Sequence, residues 1–305
     1  MNRAVGAIRA GTLTGLSTSW TLLKVMVPTI ILVQVLKVTG LLGLLASAAE
    51  PLMGIFKLPG EAALVLITGG MVNIYAAIAV AVNIPLTARG MTVLAVMVLI
   101  AHNLIVETAV QRKAGTPARI ILPARITAAL LAGLIFSRLV PEKGGLLVQA
   151  GLPTDGGRWT DILAGNILSL AKIVVIIVSL MILVESAREF GILDRITRAL
   201  GPPMKLLGMD RRTSFVAAVG LLLGLAYGAG LIIEETRKSD IGGREILATN
   251  IFLGTSHALI EDSLIFAAVG AGLGWVVIGR LIFSVVFLKL SMPVVMALWK
   301  VEGEE

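Results

Sequence analysis

The sequence predicts an all-α, polytopic membrane protein, and three observations support this fold class. Of the 305 residues, 57% are hydrophobic and 15% are charged, whereas a soluble domain averages about 45–50% apolar and about 25% charged residues. Apolar runs of about 20 residues, the length that a helix needs to cross a bilayer, recur along the chain. The two halves of the chain also repeat one pattern. Together these observations exclude a soluble enzyme, a disordered chain and a disulfide-bonded scaffold.

The charge and the cysteine count narrow the class further. The net charge is +7 and there is no cysteine. In a membrane protein, basic loop residues report orientation, so we expect the lipid bilayer and no nucleic acid as partner. The lack of cysteine excludes thiolate metal sites and covalent haem, and no cofactor is predicted. The first apolar run, 20–38, is too long for a signal peptide and is therefore predicted to be a retained span.

The first half of the chain, residues 1–145, is predicted to contain three spans, one interfacial helix and one hairpin. The spans are 20–38, 91–111 and 120–140. Segment 40–57 is amphipathic and too polar to cross, so we place it at the interface. Segment 61–85 is long enough to cross but is interrupted by Thr68, Gly69, Gly70 and Asn73. We predict that it is a re-entrant hairpin with these residues at its tip.

The second half, residues 146–305, carries the same order of elements. Its spans are 162–186, 245–268 and 273–298, its interfacial helix is 191–207 and its hairpin is 213–233. The hairpin tip is predicted at the glycine-rich stretch that includes Gly224 and Gly228.

The resemblance between the halves extends to single residues. The only two tyrosines, Tyr75 and Tyr227, lie 152 positions apart, and the only two histidines, His102 and His257, lie 155 apart. Further matched pairs are Lys24 and Lys172, Gly40 and Gly191, Pro51 and Pro202, Arg89 and Arg244, and Arg125 and Arg280. The offset rises in one direction only, from 148 to 155, as small insertions would make it. The sequence therefore predicts an internal repeat.

The basic loop residues indicate how the repeat is oriented. If both glycine-broken segments are re-entrant hairpins, most Lys and Arg residues outside the spans fall on the side of the N-terminus, in accord with the positive-inside rule. A model in which only the second segment is re-entrant and the N-terminus is outside scores equally, but like sequences should fold alike. Each half then crosses three times, so the repeats are inverted. We expect a multi-pass inner-membrane protein with both termini in the cytoplasm.

Polar residues near the bilayer midplane form the candidate site. His102 and His257 lie near the centres of their spans, where ionisable groups are costly and usually face a cavity or a partner. Glu107 and Asp262 each follow their histidine by five residues, and Glu261 follows His257 by four, on the same helix face. Structural pairing between the two helices remains the alternative to a ligand-binding role. Tyr75 and Tyr227 either stack on a ligand or cap the hairpin packing.

Two stretches carry a resemblance to a known family. The segments that begin Leu58-Pro-Gly-Glu-Ala-Ala-Leu and Asp210-Arg-Arg-Thr-Ser-Phe resemble the Gate, or nucleoside-recognition, domain of the concentrative nucleoside transporters. That domain also occurs in spore maturation proteins and in the bacterial ferrous-iron transporter B. The resemblance implies a transporter-like core, in some cases a homo-oligomer, with substrate held between hairpin tips and the helices that follow. By position, the polar residues of that family fall on His102, Asn103, Glu107, His257, Glu261 and Asp262.

The preferred function at this level is alternating-access transport of a small polar solute, nucleoside-like or another organic compound, coupled to H⁺ or Na⁺. Two alternatives stay open. The imidazole and carboxylate groups also suit a divalent metal ion as cargo, with the metal left unidentified. A non-transporting scaffold or regulatory protein is the third reading. An enzyme is not predicted, because no nucleophile–base pair is recognisable.

Overall fold

The computed structural model describes residues 3–142 and 242–300 without a gap and, between them, residues 171, 174–175, 177–179, 181–205, 207, 209, 211–225 and 233. Throughout these residues the regular secondary structure is helical, in agreement with the predicted fold class. The predicted span 162–186 and the second half of the hairpin 213–233, including Tyr227 and Gly228, lie largely outside the described residues.

Four helices form the first part of the chain. They are α1 (Arg3–Val38), α2 (Leu41–Gly54), α3 (Ala62–Met71) and α4 (Ile74–Ala81). The 36-residue helix α1 contains the predicted span 20–38 in its second half. It ends just before Gly40, whose positive φ of 74° turns the chain into α2. Helices α3 and α4 are the two arms of the segment 61–85, and the Asn73 side chain begins α4 by accepting hydrogen bonds from the Tyr75 and Ala76 amides. Asparagine is a favoured N-cap for this reason.

The next three helices carry the candidate site. They are α5 (Ala88–Ala101), α6 (Leu104–Lys113) and α7 (Ala118–Leu139). The Thr87 hydroxyl caps α5 by accepting a hydrogen bond from the Gly90 amide. The guanidinium of Arg89, at the start of α5, lies 2.6 Å from the carboxylate of Glu142, which follows the end of α7 outside the membrane-spanning segments, and this hydrogen bond holds the pKa of Glu142 below its ordinary value. The pair joins the start of α5 to the end of α7.

The second part of the chain contains α8 (Ile192–Lys205), α9 (Arg211–Leu223), α10 (Gly243–Ser256), α11 (Glu261–Ala268), a π-helical turn at Trp275–Gly279 and α12 (Arg280–Lys300). Residues 181–189 are helical as well. Gly11 and Gly15 of α1 lie against the backbone of Ile182 and Val178, where any side chain would collide with it. Small residues allow this close approach of helices.

Within the described residues, four segments are long and apolar enough to cross a membrane. They are Ala88–Lys113, Ala118–Leu139, Gly243–Ala268 and Trp275–Trp299. The predicted spans 91–111, 120–140, 245–268 and 273–298 occupy these segments. Gly243–Ala268 is the most deeply buried of the four and Trp275–Trp299 the least. The core of the molecule therefore lies around α5, α7 and α10.

Candidate binding site at the broken spans

Two of the four spans are interrupted near their middle, and the candidate site lies at the interruptions. Helix α5 ends at Ala101, His102 is extended, and Asn103 has a positive φ of 48° before α6 begins. Helix α10 ends at Ser256, His257 is extended, and Ala258 has a positive φ of 47°. We expected continuous helices here. A non-glycine residue with positive φ is uncommon, and such residues cluster at functional sites.

Backbone hydrogen bonds hold both interruptions in place. The Asn103 amide donates to the Gly69 carbonyl of α3 at 2.8 Å. The Leu259 amide donates to the Leu221 carbonyl of α9 at 2.7 Å. These bonds satisfy amides that an unbroken helix would have paired internally. Irregular backbone at membrane depth is tolerated where protein covers it in this way.

Three side chains meet in the space between the two interruptions. The Nε2 atoms of His102 and His257 are 3.2 Å apart. The Oε1 atom of Glu107 lies 3.2 Å from His102 Nε2 and 3.3 Å from His257 Nε2. All three side chains are buried, with exposed fractions of 6%, 2% and 9% for His102, His257 and Glu107. We call these three residues the His–Glu–His triangle.

The second nitrogen of each imidazole identifies its tautomer. His102 Nδ1 lies 3.2 Å from the Leu99 carbonyl oxygen, and His257 Nδ1 lies 2.7 Å from that of Leu253. A carbonyl only accepts hydrogen bonds, so Nδ1 carries the hydrogen in both rings. In the neutral imidazoles, each Nε2 therefore presents a lone pair toward the other ring and toward Glu107.

Two arginines support the triangle from behind. Arg125 Nη2 lies 2.8 Å from Glu107 Oε2, and the same side chain donates to the carbonyls of Ile100 and His102 at 3.0 and 2.9 Å. Arg280 donates to the His257 carbonyl at 3.0 Å. Both arginines are fully buried. Their N–H groups donate hydrogen bonds to carbonyl oxygens at the ends of α5 and α10, where the helix no longer provides a partner. Cations are also favoured at helix C-termini.

Sequence reasoning did not include these arginines in the site. The available signal was that each is a charged residue inside a span, at matching positions of the two halves. Intramembrane ionisable residues are functional-site candidates by default.

A second buried polar group was also missed: Gln111 Nε2 donates to the Asn250 carbonyl at 2.6 Å, and Asn250 Nδ2 donates to the Thr116 hydroxyl at 2.7 Å. These bonds tie α6 and the loop before α7 to α10.

The structure brings together only part of the residues proposed from the sequence. Asp262 is close to the triangle, with Oδ2 at 3.8 Å from His102 Nε2. Glu261 is the first residue of α11 and lies outside the triangle. It does not share a helix with His257, because α10 ends before that histidine. Asn103 contributes its backbone through the contact with Gly69.

The hairpin residues have mainly structural contacts. The Thr68 hydroxyl donates to the Leu64 carbonyl of its own helix at 2.7 Å, and Tyr75 is half-buried beside the Asn73 cap. Gly69 and Gly70 lie inside α3, where a Cβ atom would come within 3.0 Å of Val98 and 3.3 Å of the Ala101 carbonyl oxygen. They allow α3 to pack against α5, and the turn itself falls at Val72 and Asn73. Gly224 has a positive φ of 97° directly after α9.

A helical membrane protein with polar groups buried between two interrupted spans is transporter-like in architecture. The chain belongs to the Gate family, described as nucleoside recognition, whose model matches residues 19–115 and 170–286. This confirms the resemblance seen in the sequence, and the family is associated with transport. A relative, the uncharacterized membrane protein YvoD of Bacillus subtilis (strain 168), is 33% identical over 301 residues, which cover 95% of each chain. No solved structure matches the chain.

Proposed function

We propose that the protein carries a small polar solute across the membrane by alternating access, with ion coupling and with its binding centre at the His–Glu–His triangle. The observation that carries this proposal is the burial of two imidazoles, two carboxylates and two guanidinium groups where two opposed spans are interrupted. Such groups are expensive inside a membrane and mark substrate or ion pathways. Interrupted helices at matching positions are the usual setting of a transporter's binding site.

The bounds of the helices support an internal repeat. Helices α2 and α8 begin at Leu41 and Ile192 and end at Gly54 and Lys205, so both ends are separated by 151 positions. Helices α5 and α10 begin at Ala88 and Gly243 and end at Ala101 and Ser256, so both ends are separated by 155. These offsets are those of the matched residues in the sequence.

Residues with positive φ angles and the backbone hydrogen bonds beside them repeat with similar offsets. Positive φ angles occur in the pairs Gly40 and Gly191, Asn103 and Ala258, and Gly115 and Gly270. The bond from the Asn103 amide to Gly69 has a counterpart in the bond from the Ala258 amide to the Gly220 carbonyl, at 3.4 Å. Arg125 donates to the His102 carbonyl and Arg280 donates to the His257 carbonyl, so this contact also repeats. Each half therefore builds one interruption and supplies one imidazole.

An inverted repeat explains how one central site could open alternately to both sides. If each half crosses the membrane three times, the two halves have opposite orientations and similar conformational ranges. Exchanging the conformations of the halves then moves access from one face to the other while the central site stays in place. The triangle contains groups from both halves, since Glu107 and His102 precede the repeat boundary and His257 follows it.

Transport in proteoliposomes tests the proposal. The purified full chain is reconstituted and flux of nucleosides and other small polar solutes is measured under imposed proton and sodium gradients. We expect saturable flux in the wild type and loss of most of it in Glu107→Gln, which keeps the side-chain shape but removes the charge. Glu189→Gln, at an exposed glutamate, is the matched control and retains the flux. Identical flux in empty, wild-type and Glu107→Gln vesicles across the panel would instead indicate a scaffold.

A further inference from the structure

We infer that His102, His257 and Glu107 form a binding site for one divalent first-row transition metal ion of the Zn²⁺, Fe²⁺, Co²⁺ or Mn²⁺ class. This deepens the proposed function, because it names the ion class that the same centre binds. Each of the three residues offers one ligand atom, and these atoms all lie within 4.8 Å of one another.

The edge lengths of the triangle are close to those of a metal coordination sphere. Zn²⁺ binds histidine nitrogen and carboxylate oxygen at about 2.0–2.2 Å in tetrahedral geometry, so ligand atoms are separated by about 3.3–3.6 Å. The three observed separations are 3.2, 3.2 and 3.3 Å. Three atoms at nearly equal distances therefore surround a point that could be about 2 Å from each of them.

Hydrogen bonding alone accounts poorly for this arrangement. With hydrogen on Nδ1 of both rings, the Nε2 lone pairs and the Glu107 carboxylate are three acceptors that face one another. One additional proton makes one short bond, and a charge-assisted N–H···O bond is typically about 2.7–2.9 Å. No edge of the triangle is that short. A cation at the centre would instead be attracted by all three acceptors at once.

The surrounding contacts have the form of a metal site's outer shell. A ligating histidine usually donates its other ring N–H to a carbonyl or carboxylate, and ligating carboxylates are themselves hydrogen-bonded. Here Leu99 and Leu253 supply the carbonyls, and Arg125 forms an ion pair with Glu107 Oε2 at 2.8 Å. Asp262 Oδ2, at 3.8 Å from His102 Nε2, is not one of the three ligand atoms. A site with three protein ligands keeps a position open for exchange.

The ligand set also restricts the metal. Two imidazoles and a carboxylate suit Zn²⁺, Fe²⁺ or Co²⁺, whereas Cu⁺ favours thiolate and thioether ligands. Ca²⁺ and Mg²⁺ favour oxygen ligands throughout. We therefore expect first-row transition ions to bind and alkaline-earth ions to leave the site unaffected.

The chain is well suited to a spectroscopic test, because it has two histidines and no cysteine. The full chain is purified in detergent without a polyhistidine tag and titrated with Co²⁺. We expect one Co²⁺ per chain, the intense visible bands of four-coordinate Co²⁺, and their loss on addition of Zn²⁺. X-ray absorption on the Zn²⁺ form should show two imidazole ligands, a measurement that needs no variant.

Variants then assign the ligands. His102→Ala and His257→Ala should each weaken Co²⁺ binding by about 100-fold or more, since loss of an outer-shell partner alone typically costs about 10–100-fold. Glu107→Gln should weaken it as well, and the exposed-site control Glu189→Gln should bind like the wild type. Size-exclusion profiles confirm that each variant is folded.

The inference is overturned if the folded wild type binds no Co²⁺ or Zn²⁺, or if the bound ion has no imidazole ligand. Binding that is unaffected in both histidine variants overturns it too. These results are separate from the flux measurement. Metal binding without flux of any solute or metal would contradict the proposed transport and support the metal site, and solute flux without metal binding would do the reverse.

Discussion

At the scale of single residues, two buried arginines connect the surroundings of the triangle to the ends of the interrupted helices. Arg125 contacts Glu107 and two backbone carbonyls, while Arg280 donates to the carbonyls of Ser256 and His257. Arginine suits this role because its planar fork presents several donors in fixed directions. The two side chains therefore fix the positions at which α5 and α10 end.

We expect Arg125→Leu to destabilise the protein by about 3–5 kcal/mol, because it leaves the Glu107 carboxylate buried without its cation. The double variant Arg125→Leu/Glu107→Gln should be more stable than Arg125→Leu, since it removes that charge. Thermal or denaturant unfolding in detergent, followed by tryptophan fluorescence, measures both. Arg9→Leu, at an exposed position of α1, controls for the loss of any arginine. If the stability losses of the single variants Arg125→Leu and Glu107→Gln add up to the loss in the double variant, the two side chains are not coupled.

At the scale of the helices, glycine marks where α7 packs most closely. A Cβ atom at Gly133 would lie 2.5 Å from the Met97 sulfur of α5 and 2.9 Å from Phe56 Cδ1. Gly43 of α2 has no atom within 4 Å of such a position. The two glycines are therefore equivalent in helix propensity but differ in packing.

Gly133→Ala should destabilise the protein by about 1–3 kcal/mol through overpacking. Gly43→Ala, its matched control, should be neutral or stabilise by up to about 1 kcal/mol, because alanine is the better helix former. Unfolding midpoints of the two variants, compared with the wild type under one detergent condition, give the difference. A loss of similar size in both variants would show that propensity, and not packing against α5, governs the effect.

The helices were predictable to different degrees. The spans could be located because about 20 consecutive apolar residues have few other uses. The interruptions at His102 and His257 could not, since neither contains glycine or proline and Ala258 disfavours positive φ. They are imposed by contacts distant in sequence, such as Asn103 with Gly69 and Arg125 with the end of α5. The pairing of the histidines across the halves predicted that they meet, but not that α5 and α10 end there.

At the scale of the whole molecule, the membrane topology decides whether the repeat is inverted. The repeat is inverted only if the segment 61–85 enters and leaves the membrane on the same side. Helices α3 and α4 are 10 and 8 residues long. Each therefore spans only about 12–15 Å, at a rise of 1.5 Å per residue. That is about half of a hydrocarbon core of about 30 Å. Helices of this length suit a hairpin that turns back within the membrane.

Cysteine labelling in this cysteine-free chain tests the hairpin. Lys57→Cys and Pro85→Cys introduce thiols at exposed positions, the first just before the segment and the second at its last residue. We expect a membrane-impermeant maleimide to label both from the same face of sealed, oriented vesicles. Lys113→Cys, at the exposed end of the next span, provides the comparison and should be labelled from the other face once the membrane is permeabilised. Labelling of the flanking positions from opposite faces would remove the hairpin and, with it, the inverted repeat.

The length of α1 has a consequence for how the protein meets its surroundings. Its 36 residues make a rod of about 54 Å, at a rise of 1.5 Å per residue. Transmembrane helices tilt by about 0–40°, and even at 40° this rod would project about 41 Å along the bilayer normal, against a hydrocarbon thickness of about 30 Å. Part of α1 must therefore stand in the headgroup layer or in water. If the predicted span 20–38 is the part of α1 that crosses, the N-terminal half of this helix extends out of the hydrocarbon layer and presents a surface that the lipid tails do not cover.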